Sequence, residues 1–242
     1  LASVGMGVAK ARIGGTPDNP ILEEVQRYVI NEGEFGSNYF FTIYPESDMK
    51  LLFGNKGYGV FRFNETTSGL EPITTHKYEN VTLNNILAIS KDSSNNYLFG
   101  TSYGLIKYTS ENTYQLFNTK NGFLNNTIHA ILKNSPDNFW LSTNLGLINF
   151  DAKRSVFRSY GFGDGLNVVE FSDGASFRDE QTGTLFFGGI NGFIAIRADG
   201  RPEKLYMPPV YFDKLSIFGE QYNLGEFLTR EKDEEVLNLK YD

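Results

Sequence analysis

The sequence predicts an all-β fold built from repeated four-stranded antiparallel sheets, and three observations carry this prediction. The stretch from Ile86 to Tyr108 aligns without a gap with the stretch from Ile128 to Phe150, so each residue pairs with one 42 residues later. Phe (21) and Tyr (14) dominate the aromatic residues, which suits β-structure. The apolar runs are short and are bounded by Gly, Asn, Asp and Ser, which form turns between strands. A repeat period in the forties with strand-like content is typical of β-propeller blades.

The first copy of the repeat is incomplete. Only its second half is recognisable, at Leu1–Ser3 and Gly7–Lys10, so we expect the chain to open within a blade and to be part of a longer polypeptide. An insertion around Gly14–Pro20 lengthens the step to the next copy. The segment Asn19–Val25 could start a helix, with Asn as the cap and Pro at the first position. Its alignment with the fourth strand of a blade favours a strand instead.

The later copies supply whole blades. Leu52–Phe63 is a looser copy with one extra turn residue, and Phe186–Phe193 belongs to the last one. Within the copy that begins near Asn85 we predict strands at Asn85–Ser90, Tyr97–Gly100, Leu105–Tyr108 and Tyr114–Phe117. The chain therefore holds about four and a half blades, near the low end of the roughly four to eight of closed propellers.

A domain boundary follows the last blade, near Asp199–Pro209. We assign residues 1–206 to the propeller and residues 207–242 to the truncated start of a second module. Val210–Ile217 alternates like a half-buried strand, and Val236–Tyr241 begins another. Because two strands cannot make an independent core, we expect this module to be truncated here or completed from elsewhere.

Composition excludes several classes of function. The formal net charge of −7 argues against a nucleic-acid partner, which requires a basic surface. The absence of cysteine excludes disulfides and thiolate metal sites. No apolar run approaches the roughly 18 residues of a transmembrane helix.

The order of the motifs resembles the two-component regulator propeller repeat. The motifs that carry the resemblance are, in order, Gly-Leu/Phe, Asn-Asn, Ala-Ile and Thr-x-x-Gly-Leu. The run Gly165–Phe171, followed by Gly183–Phe193, resembles the last blade of this propeller in hybrid two-component sensors of gut Bacteroidetes. The sequence from Pro208 onward resembles the start of the immunoglobulin-like module that follows it.

The resemblance implies an all-β sensor region in the periplasm. Its parent protein would be anchored in the inner membrane, pair as a homodimer and carry a cytoplasmic histidine kinase. The implied ligand is an oligosaccharide from dietary or host glycans. The resemblance implies no cofactor and no catalysis in this chain, and we find no kinase motif around His76 or His129.

No catalytic or metal-binding cluster can be identified from the residues. His129 replaces Leu87 of the sister repeat, so we interpret it as a structural or surface histidine. His76 is expected in an exposed loop between blades. Trp140 fills the position of Leu98 and is interpreted as core packing, with ligand stacking as the alternative.

Blade geometry indicates a binding surface. In an up-and-down blade, the turn between the second and third strands lies at the same end as the link between blades. Asparagine amides and tyrosine rings at this end suit neutral sugars, because they combine donors and acceptors with a stacking face. Asparagine also forms turns, and for the paired asparagines we favour that interpretation. The candidate ligand-binding residues are Lys56, Tyr58, Asn84, Asn85, Tyr103, Asn125, Asn126, Asn144, Glu170 and Asn191.

Three functions remain in competition. The first is a ligand-binding sensor module. The second is a propeller lyase acting on a polysaccharide or a cyclic peptide, which a histidine clustered with Glu or metal ligands on one face would favour. We expect neither histidine in a loop of the candidate binding face. The third is a protein-interaction scaffold, which the fold alone does not exclude.

Overall fold

The computed structural model describes most of the chain in thirteen stretches. These are residues 2, 5–30, 37–47, 50–64, 67, 69–73, 85–109, 113–168, 170–197, 215–217, 219–223, 228–231 and 234–237. Its strands are, in chain order, β1 (Val8–Thr16), β2 (Asn19–Tyr28), β3 (Phe40–Ser47), β4 (Lys50–Asn55), β5 (Gly59–Asn64), β6 (Gly69–Pro72), β7 (Ile86–Lys91), β8 (Tyr97–Thr101), β9 (Gly104–Tyr108), β10 (Tyr114–Phe117), β11 (Ala130–Ser135), β12 (Asn138–Thr143), β13 (Gly146–Asp151), β14 (Val156–Tyr160), β15 (Phe171–Arg178), β16 (Leu185–Gly189), β17 (Gly192–Ile196), β18 (Leu215–Ile217), β19 (Glu220–Tyr222), β20 (Leu228–Glu231) and β21 (Glu234–Leu237).

Consecutive strands pair antiparallel into blades. Blade 1 is the hairpin β1–β2, blades 2, 3 and 4 are the four-stranded sheets β3–β6, β7–β10 and β11–β14, and blade 5 contains β15–β17. Within the described residues, helical structure is limited to two single-turn 3-10 helices, Thr119–Asn121 and Phe162–Asp164. The predicted all-β propeller fold is therefore confirmed.

The hydrophobic core lies between successive blades. Side chains alternate along each strand, so that neighbouring residues point to opposite faces of the sheet. In β8, Leu98 packs toward blade 4 while Phe99 packs toward blade 2, and both are fully buried. Further clusters join blade 1 to blade 2 and blade 4 to blade 5. Each sheet between two others is thus covered on both faces, which explains unbroken apolar runs such as Ile86–Ile89 in β7.

The inner strands gather around a common axis. β7 contacts both β3 and β11, β11 contacts β15, and β15 also contacts β3. The first strand of each of blades 2 to 5 is therefore innermost, and the later strands lie progressively farther out, as expected for a propeller.

Blade 1 explains the insertion predicted from the sequence. Strands β1 and β2 contain nine and ten residues, whereas the corresponding β5 and β6 of blade 2 contain six and four. The extra residues lengthen this outer hairpin. Residues 19–25 form part of β2, so the choice of strand over helix is confirmed.

The chain divides into two compact units, residues 1–199 and 200–242. In the second unit the described strands form two antiparallel hairpins, β18–β19 and β20–β21. Residues 198–214 lie outside the described residues, and with them the Pro-Pro-Val motif. The division into a propeller (1–206) and an immunoglobulin-like start (207–242) stays a prediction.

Candidate functional site

One end of the blades carries both the turns between second and third strands and the links that enter the blades, and we call this end the link face. It comprises residues 37–39, 55–58, 85, 101–103, 125–129, 143–145, 170 and 190–191. Backbone hydrogen bonds tie link to turn at three places, in blade 2, between blades 3 and 4, and in blade 5. The N–H of Lys56 donates to the carbonyl of Tyr39 (2.9 Å), that of Ile128 to Thr101 (2.9 Å), and that of Ile190 to Glu170 (3.1 Å). Links and turns of the link face are therefore joined by backbone hydrogen bonds at these three places.

A buried threonine locks the turn in blades 3 and 4. The hydroxyl of Thr101 donates to the carbonyl of Gly104 (2.9 Å) and accepts from the N–H of Tyr103 (2.9 Å). Thr143 makes the same two bonds in the next blade. This geometry explains why threonine is identical in the two copies of the repeat. The locked turns hold Tyr103 and Leu145 outward, where they are 47% and 52% exposed.

The two candidates of blade 2 have different environments. Lys56 is exposed, with its ammonium 5.3 Å from the ring centre of Tyr39. Tyr58 is half-buried and packs against the cluster that contains Phe40 and Phe61. Sequence reasoning missed Tyr39, an exposed aromatic residue that follows the asparagine of the link.

The asparagine candidates are engaged in turn formation. Asn85 has a left-handed backbone (φ 56) and donates from its amide to the hydroxyl of Ser102 (3.3 Å). The side-chain oxygen of Asn125 accepts from the N–H of Thr127 (2.8 Å), and that of Asn126 accepts from the N–H of Thr119 (2.9 Å). These bonds match the turn-forming interpretation. Asn84 lies outside the described residues.

The turn bonds leave part of the asparagine chemistry available. Within the described part of the chain, the amide nitrogens of Asn125 and Asn126 have no protein hydrogen-bond partner. Glu170 and Asn191 are exposed, and their side chains make no hydrogen bond to the described residues. The link into blade 4 and the loops of blade 5 thus present polar groups, among them amide donors and a carboxylate, at the link face.

His129 contradicts one sequence-based expectation. We expected neither histidine in the loops of this face, yet His129 ends the link into β11 and lies there. Its Nδ1 is 2.5 Å from a carboxylate oxygen of Asp173, and its Nε2 is 2.6 Å from the amide oxygen of Asn144. The signal that could have found it is the substitution of Leu87 by a polar residue in an otherwise similar repeat. His76 lies outside the described residues.

A second titratable cluster lies at the opposite end, between blades 2 and 3. Glu46 is 14% exposed and contacts Arg62 (3.2 Å) and Lys91 (3.4 Å), and it accepts a hydrogen bond from the Tyr97 hydroxyl. Burial alone would raise the pKa of Glu46, but this hydrogen bond and the two cations outweigh it and lower the pKa. Burial and the Glu46 carboxylate raise the pKa of Tyr97 to about 12. Because partners surround this carboxylate, we interpret the cluster as a bridge between blades.

Trp140 lies where the sequence predicted packing. It is half-buried against the cluster between blades 4 and 5, and its ring centre is 5.2 Å from that of Tyr160.

Neither a metal cluster nor a membrane-crossing helix was found in the described stretches. No group of three or more His, Cys, Asp or Glu side chains among them could hold a metal ion. No helix in that part of the chain is long and apolar enough to cross a membrane.

Comparison with known proteins gives similarity at the level of structure. No protein-family model and no curated protein matches the chain. Its fold is similar to the extracellular domain of a hybrid two-component system from B. thetaiotaomicron, with a TM-score of 0.65 and 22% identity over 90% of this chain and 33% of the other. It is also similar to the extracellular domain of a one-component system from the same organism, with a TM-score of 0.62 and 16% identity over 81% and 28%. The chain therefore shares its fold with these domains and spans about a third of their length.

Proposed function

We propose that this chain is part of a periplasmic sensor module that binds an oligosaccharide at its link face. The observation that carries the proposal is the combination of two half-buried asparagines, Asn125 and Asn126, whose amide nitrogens have no hydrogen-bond partner among the described residues, with the exposed side chains of Tyr103 and Leu145. Sugars offer hydroxyl groups that donate and accept hydrogen bonds, together with apolar ring faces that pack on aromatic side chains. The link face offers both kinds of contact.

Hydrogen bonds within the surface support the proposal. Buried threonines hold the turns of blades 3 and 4, and backbone hydrogen bonds join link to turn at three places, which reduces the conformational entropy lost there when a ligand binds. The shared fold with extracellular domains of two-component and one-component systems supports a sensor role.

Signalling would take place in the rest of a longer parent protein. We propose that this parent is a Bacteroidetes protein anchored in the inner membrane, that it forms a homodimer, and that it carries a cytoplasmic histidine kinase. A ligand shifts such a protein between two states only by its difference in affinity for them. Binding at the link face would therefore have to favour one arrangement of the parent.

The lyase alternative gains one observation, the contact of His129 with Asp173 at the link face. A general base must reach the proton of a substrate with a free nitrogen. Both ring nitrogens of His129 are engaged, and its side chain is only 11% exposed. We therefore propose binding without catalysis.

Calorimetry with purified protein and a panel of neutral and acidic oligosaccharides tests the proposal. We expect at least one saccharide to bind, and Tyr103→Ala to weaken binding about threefold to tenfold through lost stacking. Phe177→Ala is the matched control, because Phe177 is also an exposed aromatic residue but lies toward the other end of its blade. Failure of the whole panel to bind would refute the proposal, and chromatographic detection of shortened products would favour the lyase.

A further inference from the structure

An insertion in the inner strand of blade 5 reshapes the link face. In blade 3, Ile86 and Ile89 of β7 pair with Thr101 and Phe99 of β8. Between these two pairs, Leu87 and Ala88 lie opposite the single residue Gly100. In blade 5, Ser172–Ala175 take this place, opposite the single residue Gly188. The inner strand of blade 5 thus carries a larger bulge than its sister, with two more residues. Bulges of this kind re-aim side chains and are frequent beside binding and active sites.

The bulge brings Asp173 to the neighbouring blade. Gly174, with φ +68, allows the strand to bend at this point. Asp173 reaches His129 of blade 4, with 2.5 Å between the carboxylate oxygen and Nδ1. His129 is held on its other side by Asn144 (2.6 Å). Three side chains from two blades thus form one polar cluster.

The cluster is not required for packing. Leu87 occupies the position of His129 in the sister blade and is buried there, so an aliphatic side chain satisfies the fold at this position. The chain instead places an imidazole here and covers nearly all of it. The side chain of Asp173 remains 51% exposed. Within the described residues its second carboxylate oxygen has no protein hydrogen-bond partner.

Charge around the cluster indicates which ligands it accepts. The segment from Gly161 to Phe177 contains Asp164, Glu170 and Asp173 and no Lys or Arg. A carboxylate accepts hydrogen bonds from hydroxyl groups, and the excess of acidic residues along this segment disfavours anions. The exposed apolar side chain of Ile190, in the turn of the same blade, adds an apolar surface.

We propose that Asp173 is a ligand-contacting residue that accepts hydrogen bonds from the hydroxyl groups of a neutral saccharide, with His129 and Asn144 as positioning residues. This assignment rests on the proposed function, since it names the contact residue and the saccharide class of the same face. His129 holds the carboxylate through one oxygen and leaves the other for the ligand.

Calorimetry on the whole chain tests the assignment, with neutral xylo-, manno- and galacto-oligosaccharides and acidic oligogalacturonate as probes. Asp173→Asn should weaken binding of a neutral saccharide about tenfold or more, because a hydrogen bond to a charged group is lost. Asp18→Asn makes the same charge change in an exposed turn at the opposite end of blade 1 and should leave affinity unchanged. His129→Leu, the residue of the sister blade, should weaken binding about threefold to tenfold without changing the thermal midpoint, and His129→Gln, which can still donate to Asp173, should restore part of it.

The outcomes separate the two proposals. Equal affinities of Asp173→Asn and Asp18→Asn, or binding of oligogalacturonate in preference to every neutral probe, would overturn the assignment while the sensor proposal stands. If no probe binds the unaltered protein, both proposals are wrong. If His129→Leu and His129→Gln lose affinity equally, His129 does not position Asp173 through a hydrogen bond.

Discussion

A substitution at Gly146 tests whether the repeat encodes the contact between the third and fourth strands of a blade. Gly146 has φ +121, and an added Cβ would meet the backbone carbonyl of Tyr160 at the end of β14, with the carbonyl carbon at 3.1 Å. The left-handed backbone costs about 1–2 kcal/mol for any other residue. Forcing the added methyl group against the Tyr160 carbonyl costs about 1–3 kcal/mol more. Alanine also makes the unfolded chain less flexible than glycine does, which favours folding by about 0.4–1 kcal/mol. We expect Gly146→Ala to lower the free energy of unfolding by about 3 kcal/mol.

Two matched glycines separate these contributions. Gly57 has φ +94 in the equivalent turn of blade 2, with open space where a Cβ would lie, so Gly57→Ala should cost about 1 kcal/mol from the backbone alone. Gly163 has neither a positive φ nor a neighbour there, so Gly163→Ala should be neutral or slightly stabilising. Urea unfolding followed by the fluorescence of Trp140, the single tryptophan, measures all three. If Gly146→Ala costs no more than Gly57→Ala, the contact between strands does not explain this glycine.

The remaining predictions concern the contacts between blades. Glu46→Gln should lower the free energy of unfolding by about 2 kcal/mol at neutral pH, because a nearly buried carboxylate loses hydrogen bonds to charged and phenolic donors. Since the folded-state pKa of Glu46 is lowered, its contribution to the free energy of unfolding is present above the unfolded pKa of 4.5 and is lost as the pH falls below that value. The free energy of unfolding in urea should therefore change less between pH 7 and pH 4 in Glu46→Gln than in the unaltered protein. The pKa of Tyr97 is raised from 10.0 to about 12, so its contribution is complete below pH 10 and is lost as the pH rises through 12, and alkaline unfolding of Tyr97→Phe should lack that step. Trp140→Leu, which installs the residue of the sister blade, should cost less than Trp140→Ala, for which we expect about 3 kcal/mol by chemical denaturation, and equal losses would argue against packing as its role.

Much of the fold could be predicted because the repeat is local. Within one blade the strand positions follow from short apolar runs and from turn residues, and both are visible in a window of about ten residues. The strands predicted at Tyr97, Leu105 and Tyr114 begin within one residue of where β8, β9 and β10 begin. The turn-forming role of the link asparagines is local as well. The side-chain oxygen of Asn125, for example, accepts a hydrogen bond from the N–H of Thr127, only two residues away.

The sequence by itself determined the repeat unit, its strands and the end of the blades at which links and turns meet. Only the tertiary structure decided which side chains face each other across blades. The partners His129 and Asp173 are 44 residues apart, and Glu46 and Tyr97 are 51 apart. Their contacts depend on the angle between sheets and, for Asp173, on the two additional residues of the bulge in β15, and neither leaves a periodic pattern in the chain. The physical reason is that strands and turns are set by neighbours along the backbone, whereas a cluster of side chains is set by how separate sheets pack.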